Sequence, residues 1–237
     1  MTENYSEKGD VNLDLLSKAD NFTNWLFDTV KPYLGGTILE IGSGRGTYSK
    51  LTIDSFPGSK IILSDIDIKY VEQLKSKFAS ERVSVVRLGL ENKEDFKNLT
   101  NVDSVFALNV IEHVEHDVDA INNIYEILNP GGRLILVTPA YKFLFNCIDK
   151  TVDHYRRYTK KEMLEKVAQT KFKVKSLFFF NFLSILGWYW NGTIMKKEIL
   201  NENALKFFNF LVPVLKFIEK YILRKTIGLS LVVVLEK

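Results

Sequence analysis

Apolar positions along this chain gather in short runs of strand length, with stretches of helical spacing between them. The runs 38–41, 61–63, 83–88, 102–108 and 134–137 are rich in Ile, Val and Leu. Each closes within two residues on Gly, Asp, Asn or Pro, as buried parallel strands commonly do. Between the fourth and fifth runs, Val118, Ile121, Ile124, Tyr125 and Leu128 recur with a helical period. Pro130-Gly131-Gly132 then ends that helix and launches the next strand. Asp67 stands where it would cap a helix beginning near Ile68, and another helix is expected from Lys160. Strands over 172–181 and 229–236 complete the pattern. Such alternation implies an α/β fold built on one sheet.

About forty-five residues separate the last two strands, far more than a hairpin turn holds, so this connection must carry structure of its own. It opens on the aromatic run 182–190. A long amphipathic stretch follows, with Leu205, Phe208, Leu211, Val212, Leu215, Ile218, Ile222 and Leu223 near one face. Pro213 is expected to interrupt or kink that helix. No segment reaches the ~20 apolar residues needed to cross a bilayer. The expected role is a lid over the sheet edge. A basic, aromatic-rich amphipathic helix can also make a peripheral membrane contact, and the two roles are compatible.

The densest chemical signal is Glu40-Ile41-Gly42-Ser43-Gly44-Arg45-Gly46, where a strand ends in an acid and glycine recurs at alternate positions. Glycine suits a tight turn that lets a ligand touch backbone. The spacing departs from the G-x-G-x-x-G of dinucleotide sites, and no Lys-Ser/Thr pair follows, which excludes a P-loop. About twenty residues on, a second strand closes on Asp65, where a ribose-binding carboxylate belongs in such units.

Together with the strand 102–108, the helix after it and Pro130-Gly131-Gly132, these motifs resemble the class I S-adenosylmethionine-dependent methyltransferases over residues 35–140. The resemblance implies a Rossmann-like α/β fold. Its seven-stranded sheet would be mostly parallel with an antiparallel last strand, helices on both faces and a helical insert between the last two strands. It implies a methyltransferase domain over 35–237, with a lid insert at 182–226 and an N-terminal helical segment at 1–34. S-adenosylmethionine would be held by Glu40, Gly42, Gly44, Asp65, Leu90 and Asn109. One departure is that Gly89 stands where the family usually places an Asp for the adenine amino group.

Further along, Pro139-Ala140-Tyr141, Asp149, His154-Tyr155-Arg156-Arg157-Tyr158-Thr159, Trp188, Asn191-Gly192 and Gly228-Leu229-Ser230 look like a bacterial methyltransferase group often found beside glycosyltransferases. That likeness implies a small-molecule, glycan or lipid-linked acceptor bound by Tyr155, Arg156, Arg157 and Tyr158. A hydroxyl acceptor profits from a base near neutral pKa, so His154 and then His113 are the catalytic candidates, with His116 behind them. Some related small-RNA and quinone-precursor enzymes carry E-x-x-E-H and bind a divalent cation there. This chain reads Asn109-Val110-Ile111-Glu112-His113, and with the first carboxylate missing no metal is expected.

Charge changes the picture in one respect. Residues 1–140 carry a balance of −7 and residues 141–237 a balance of +10, which together give the net +3. The basic residues are scattered among apolar ones, so no nucleic-acid partner is expected, although an RNA methyltransferase remains an alternative, as does a scaffold that binds cofactor without turnover. A polar start without an apolar signal region, and a single cysteine, Cys147, lead to the expectation of a cytoplasmic protein.

Overall fold

The computed structural model describes residues 7–237, so positions 1–6 of the expected N-terminal helical segment lie outside the described residues. Two helices, α1 (Glu7–Ser17) and α2 (Asp20–Val30), precede the sheet. Then strands and helices alternate: β1 (Ile38–Ile41), α3 (Thr47–Ser55), β2 (Ile61–Asp65), α4 (Ile68–Phe78), β3 (Val83–Arg87), β4 (Val102–Leu108), α5 (Asp117–Ile127) and β5 (Leu128–Pro139). Two short helices follow, α6 (Cys147–Thr151) and α7 (Lys160–Val167), then β6 (Lys173–Phe180). The insert holds α8 (Ser184–Trp188) and α9 (Glu202–Tyr221), and β7 (Ser230–Glu236) ends the sheet.

The sheet order is β3-β2-β1-β4-β5-β7-β6. β1 to β5 pair in parallel, while β7 runs antiparallel between β5 and β6. The order reverses beside β1, so the ends of β1 and β4 flank a crevice where ligands of open α/β sheets bind. All four residues of β1 are buried, as expected of a central parallel strand covered on both faces. One face is filled by α5 and α7 over Leu39, Val105, Leu134 and Val233. The other is filled by α2 and α9 over Ile38, Phe106, Ile135 and Val232.

Asp67 caps α4 as expected, accepting from the Lys69 amide. The interruption expected at Pro213 does not occur, because α9 continues through it as one helix. Proline has no N–H for the carbonyl four residues back. That carbonyl, on Asn209, instead accepts 3.0 Å from the Asn21 side chain of α2, so no acceptor is orphaned. The expected apolar face of α9 does turn inward over most of its length. Val212 and Leu215 are buried, and Phe208 and Leu211 pack beside them, but Ile222 is 66% exposed. A different row, Phe207, Phe210, Val214, Phe217 and Tyr221, stands out in solvent.

Candidate active site

The glycine turn hangs between β1 and α3. Gly42 has φ +70°, and a Cβ there would meet Val110 Cγ2 at 2.5 Å, so both conformation and space demand glycine. Gly44, at φ +50°, would carry a Cβ into open space, which marks the accessible side of the turn. Asp65 ties the turn from the neighbouring strand. Its Oδ2 accepts 2.8 Å from Gly44 N–H and its Oδ1 accepts 3.0 Å from Asp67 N–H. Burial raises its carboxyl, against the lowering by these amides.

Glu40 is buried beneath the turn, and its Oε2 has no hydrogen-bond partner among the described residues. Burial pushes its carboxyl up to about 8, against a smaller lowering from the Ser49 hydroxyl beside it and with a further rise from Asp65. An acid so placed calls for a cationic group, so the turn, Glu40 and Asp65 together fit a ligand with an ammonium and vicinal hydroxyls. Asn109 ends β4 at φ +55° and is exposed, and its N–H is held by Val137 O at 2.8 Å. Leu90 is buried in the core beside Leu88. The place of the missing acid at Gly89 is approached by Asp95, whose Oδ2 accepts 2.8 Å from the Gly89 N–H. A separate cleft of about 240 Å³ opens on the α3 side of the turn, lined by Arg45, Thr47, Lys50 and Lys77, and no rim residue described below lines it.

Asp65→Ala is expected to weaken S-adenosylmethionine binding by about 1–3 kcal/mol, the range for losing buried hydrogen bonds. Calorimetry on the folded variant checks this. An unchanged affinity would return Asp65 to the role of tying the turn alone.

The second half of the site is the segment between α6 and α7, laid over the ends of β4 and β5. Its register is fixed by backbone bonds: Tyr155 N–H donates to Glu112 O, Tyr158 N–H to Pro139 O, and Tyr141 N–H to Tyr158 O. Asp149 sits at its centre, in the capping box of α6 with Asn146. Its Oδ1 lies 2.8 Å from His154 Nδ1 and accepts at 2.8 Å from Arg157 Nε. Burial pushes Asp149 upward, but His154 and Arg157 together bring it below the usual carboxylate range. Arg157 also donates to Ala140 O, and Trp188 of α8 covers it with its ring 4.6 Å away.

His154 is therefore held by one nitrogen. Its Nε2 faces Glu112 Oε1 at 3.8 Å, and its ring meets His113 edge-on at 4.7 Å. Burial lowers the His154 pKa despite Asp149, and burial, then His154, takes His113 down to about 3, so both rings are neutral near pH 7. Glu112 is fully buried and, among the described residues, neither carboxylate oxygen accepts a hydrogen bond from another residue. Burial raises it to about 8.

The expected acceptor residues divide. Tyr155 is half exposed, and Arg156 reaches Asp117 Oδ2 at 2.9 Å and the Glu115 carbonyl. Arg157 and Tyr158 are buried and engaged with protein, Tyr158 through Asp117 at 2.9 Å. Both thus commit polar groups to Asp149, Ala140 and Asp117. Asp117, which also receives Lys166 at 2.7 Å, is a buried anchor that sequence reading passed over, because it resembles any acid in a helix's first turn.

The raised Glu112 value carries a sign. Its folded-state carboxyl titrates near 8 against an ordinary 4.5, so the stability it contributes is full below the latter and is lost as pH rises through the former. Glu112→Gln is expected to flatten the fall of Tm across that window. An unchanged slope would locate the loss elsewhere, with Glu40 the first suspect.

Comparison with known proteins agrees with this geometry. A family profile described as a methyltransferase domain matches residues 39–134. The malonyl-[acyl-carrier protein] O-methyltransferase 1 of Ilyobacter polytropus is 24% identical over 163 residues, 66% of this chain and 59% of that protein. The tRNA U34 carboxymethyltransferase of Pseudoalteromonas translucida is 25% identical over 67% of this chain and 50% of its own length. The chain thus spans little more than half the length of these curated relatives. Among solved structures, an S-adenosylmethionine-dependent methyltransferase from Mesorhizobium loti superposes with a TM-score of 0.62, at 13% identity over 92% of this chain and all of that one. The geranyl diphosphate C-methyltransferase of Streptomyces coelicolor gives 0.65, at 11% identity over 95% and 83%.

The chain shares its fold with these structures, and its segment carrying the glycine turn and Asp65 is similar to a methyltransferase domain. The relatives differ in acceptor, from a carrier-protein-bound acid to a tRNA base. No helix among the described residues is long and apolar enough to cross a membrane.

Proposed function

We propose that the chain transfers a methyl group from S-adenosylmethionine to an oxygen of a small-molecule acceptor that is sugar-containing or lipid-linked, with His154 as the base. The observation that carries this reading is the Asp149–His154 pair at 2.8 Å on the rim beyond β4 and β5. A carboxylate on Nδ1 fixes the tautomer with the proton there and leaves the Nε2 lone pair to take a proton. When bound, the cofactor supplies an electrophilic methyl on a sulfonium. Glu40, Gly42, Gly44, Asp65, Leu90 and Asn109 would hold it, and Asp95 is placed to serve where Gly89 lacks an acid. Arg157, Tyr158 and Asp117 would hold the rim rigid, while Tyr155 and Arg156, more open to solvent, would meet the acceptor. Placing the acceptor oxygen in line with the methyl does most of the work, because displacement depends chiefly on alignment.

Incubation with methyl-labelled S-adenosylmethionine and panels of glycan, lipid-linked saccharide and acyl-carrier acceptors tests the reading. Labelled glycan or lipid supports it. Label on RNA alone, with binding that falls steeply with salt, would replace it by the nucleic-acid alternative. Cofactor binding without transfer to any acceptor would favour the scaffold alternative.

Glu112 supports a second reading of the same cluster. Ligand atoms of Glu112, His113 and His154 lie within 4.8 Å of one another, and the third arrives from a segment that spacing in sequence could not place. Asp149 on the outer nitrogen of His154 is the kind of support that metal-binding histidines receive. A divalent ion there would polarise the acceptor oxygen in place of a base. Chelation that abolishes transfer, restored by one ion, would select this reading over the first.

A further inference from the structure

The insert between β6 and β7 exposes apolar surface that the rest of the molecule does not. Of the nineteen large hydrophobic residues that stand exposed among the described residues, thirteen lie between Leu186 and Ile227. Five of them, Phe207, Phe210, Val214, Phe217 and Tyr221, recur at steps of three and four and so form one stripe along α9. The opposite side of α9 is packed on α2, through Phe208 against Phe22 at 5.6 Å and through the Asn209 bonds to Asn21 and Phe22. The stripe therefore faces away from the protein. Trp190, 59% exposed, adds an aromatic ring on the turn that continues α8.

The charge around the stripe selects what covers it. Lys220 stands within about a quarter turn of the stripe at 3.6 residues per turn, and Arg224 follows the helix end. The acids of the insert are engaged elsewhere. Glu198 pairs with Lys8, Glu202 pairs with Lys206 at 2.8 Å, and Glu219 is buried, accepting from the amides of Asn181 and Phe182. A second copy laid against the stripe would bring lysine toward lysine, with no exposed acid past Glu202 on the helix to answer them. Anionic headgroups would answer them, and acyl chains would take the Phe side chains.

We infer that the Phe207–Tyr221 stripe of α9 is a docking face for the interface of an anionic lipid bilayer. The helix lies along the surface and its packed side holds the body of the protein above it. This deepens the lipid-linked part of the proposed function, since α8 also carries Trp188 over Arg157 and so joins the docking face to the acceptor rim. The docking itself does not depend on methyl transfer.

Co-sedimentation of the whole chain with vesicles of phosphatidylcholine alone, and of phosphatidylcholine with phosphatidylglycerol, tests it. Binding is expected to the anionic vesicles, with a blue shift of tryptophan emission from Trp190. Phe210→Asp with Phe217→Asp should lower the partition coefficient by roughly tenfold or more, and Lys220→Glu with Arg224→Glu should remove the preference for anionic lipid. His154→Ala should bind vesicles like the wild type, which separates failure of docking from failure of catalysis. No binding to either vesicle, or binding unchanged in the Phe variants with their fold intact, would overturn the inference. A dimer at the same concentration that Phe217→Asp dissolves would overturn it in favour of a second copy.

Discussion

Replacing His154 with alanine is expected to lower turnover by about 10²–10⁴-fold, the range for loss of a positioned acid or base, while leaving affinity for S-adenosylmethionine nearly intact. The separation follows from position. Glu40, Gly44 and Asp65 belong to β1, β2 and the turn between β1 and α3, whereas His154 belongs to the segment over β5, and no hydrogen bond links the two groups among the described residues. Turnover and calorimetric affinity measured on the same preparation check it. Equal loss of both would mean that His154 supports the fold of the crevice. The pH profile adds a second readout. A base lowered by burial should keep the rate high on the acid side of the ordinary histidine range, and Asp149→Asn should disturb that profile by releasing the tautomer.

Arg157→Met should be the most damaging single change to stability, at about 3–5 kcal/mol, because it removes one member of a buried ion pair and leaves the other behind. The Arg157 and Asp149 side chains are 1% and 0% exposed, so solvent cannot replace the lost partner. His154 stays beside Asp149 but is neutral, and it cannot balance the carboxylate without taking a proton at a nitrogen that faces Glu112 and His113. Chemical denaturation measures the loss. Adding Asp149→Asn to the same chain should recover part of it, since the stranded charge is then gone. A loss below about 1 kcal/mol would mean that the rim relaxes and admits water.

Much of the fold was legible because its signals are local. The runs ending at Ile41, Asp65 and Leu108 are strands by composition, and the glycine turn announces its own conformation. The cap at Asp67 and the helix start after Thr159 are equally short-range. The rim was legible in its members and not in its arrangement. His154 and Arg157 could be singled out, yet their meeting at Asp149, and the approach of Glu112 and His113 from more than forty residues earlier, are products of tertiary packing. Pro213 lies inside an unbroken helix for the same reason. Its cost is real, but Asn21 meets it from 188 residues away along the chain. The inward face of α9 was legible from its spacing, since Phe208, Leu211, Val212 and Leu215 meet the core, whereas the second apolar row that stays in solvent was not singled out.

The position of β7 has a consequence for how the molecule comes into being. Residues 230–236 lie between β5 and β6, and among the described residues β6 has no other neighbour in the sheet. During synthesis the strands that carry the glycine turn and Asp65 can pair as they emerge. The segment bearing β6, α8 and α9 must wait, with its Phe and Trp side chains uncovered, until the last strand arrives and slides between its two partners. The nascent chain is therefore expected to pass through an interval in which β1 to β5 are paired while β6 and the helices of the insert remain uncovered.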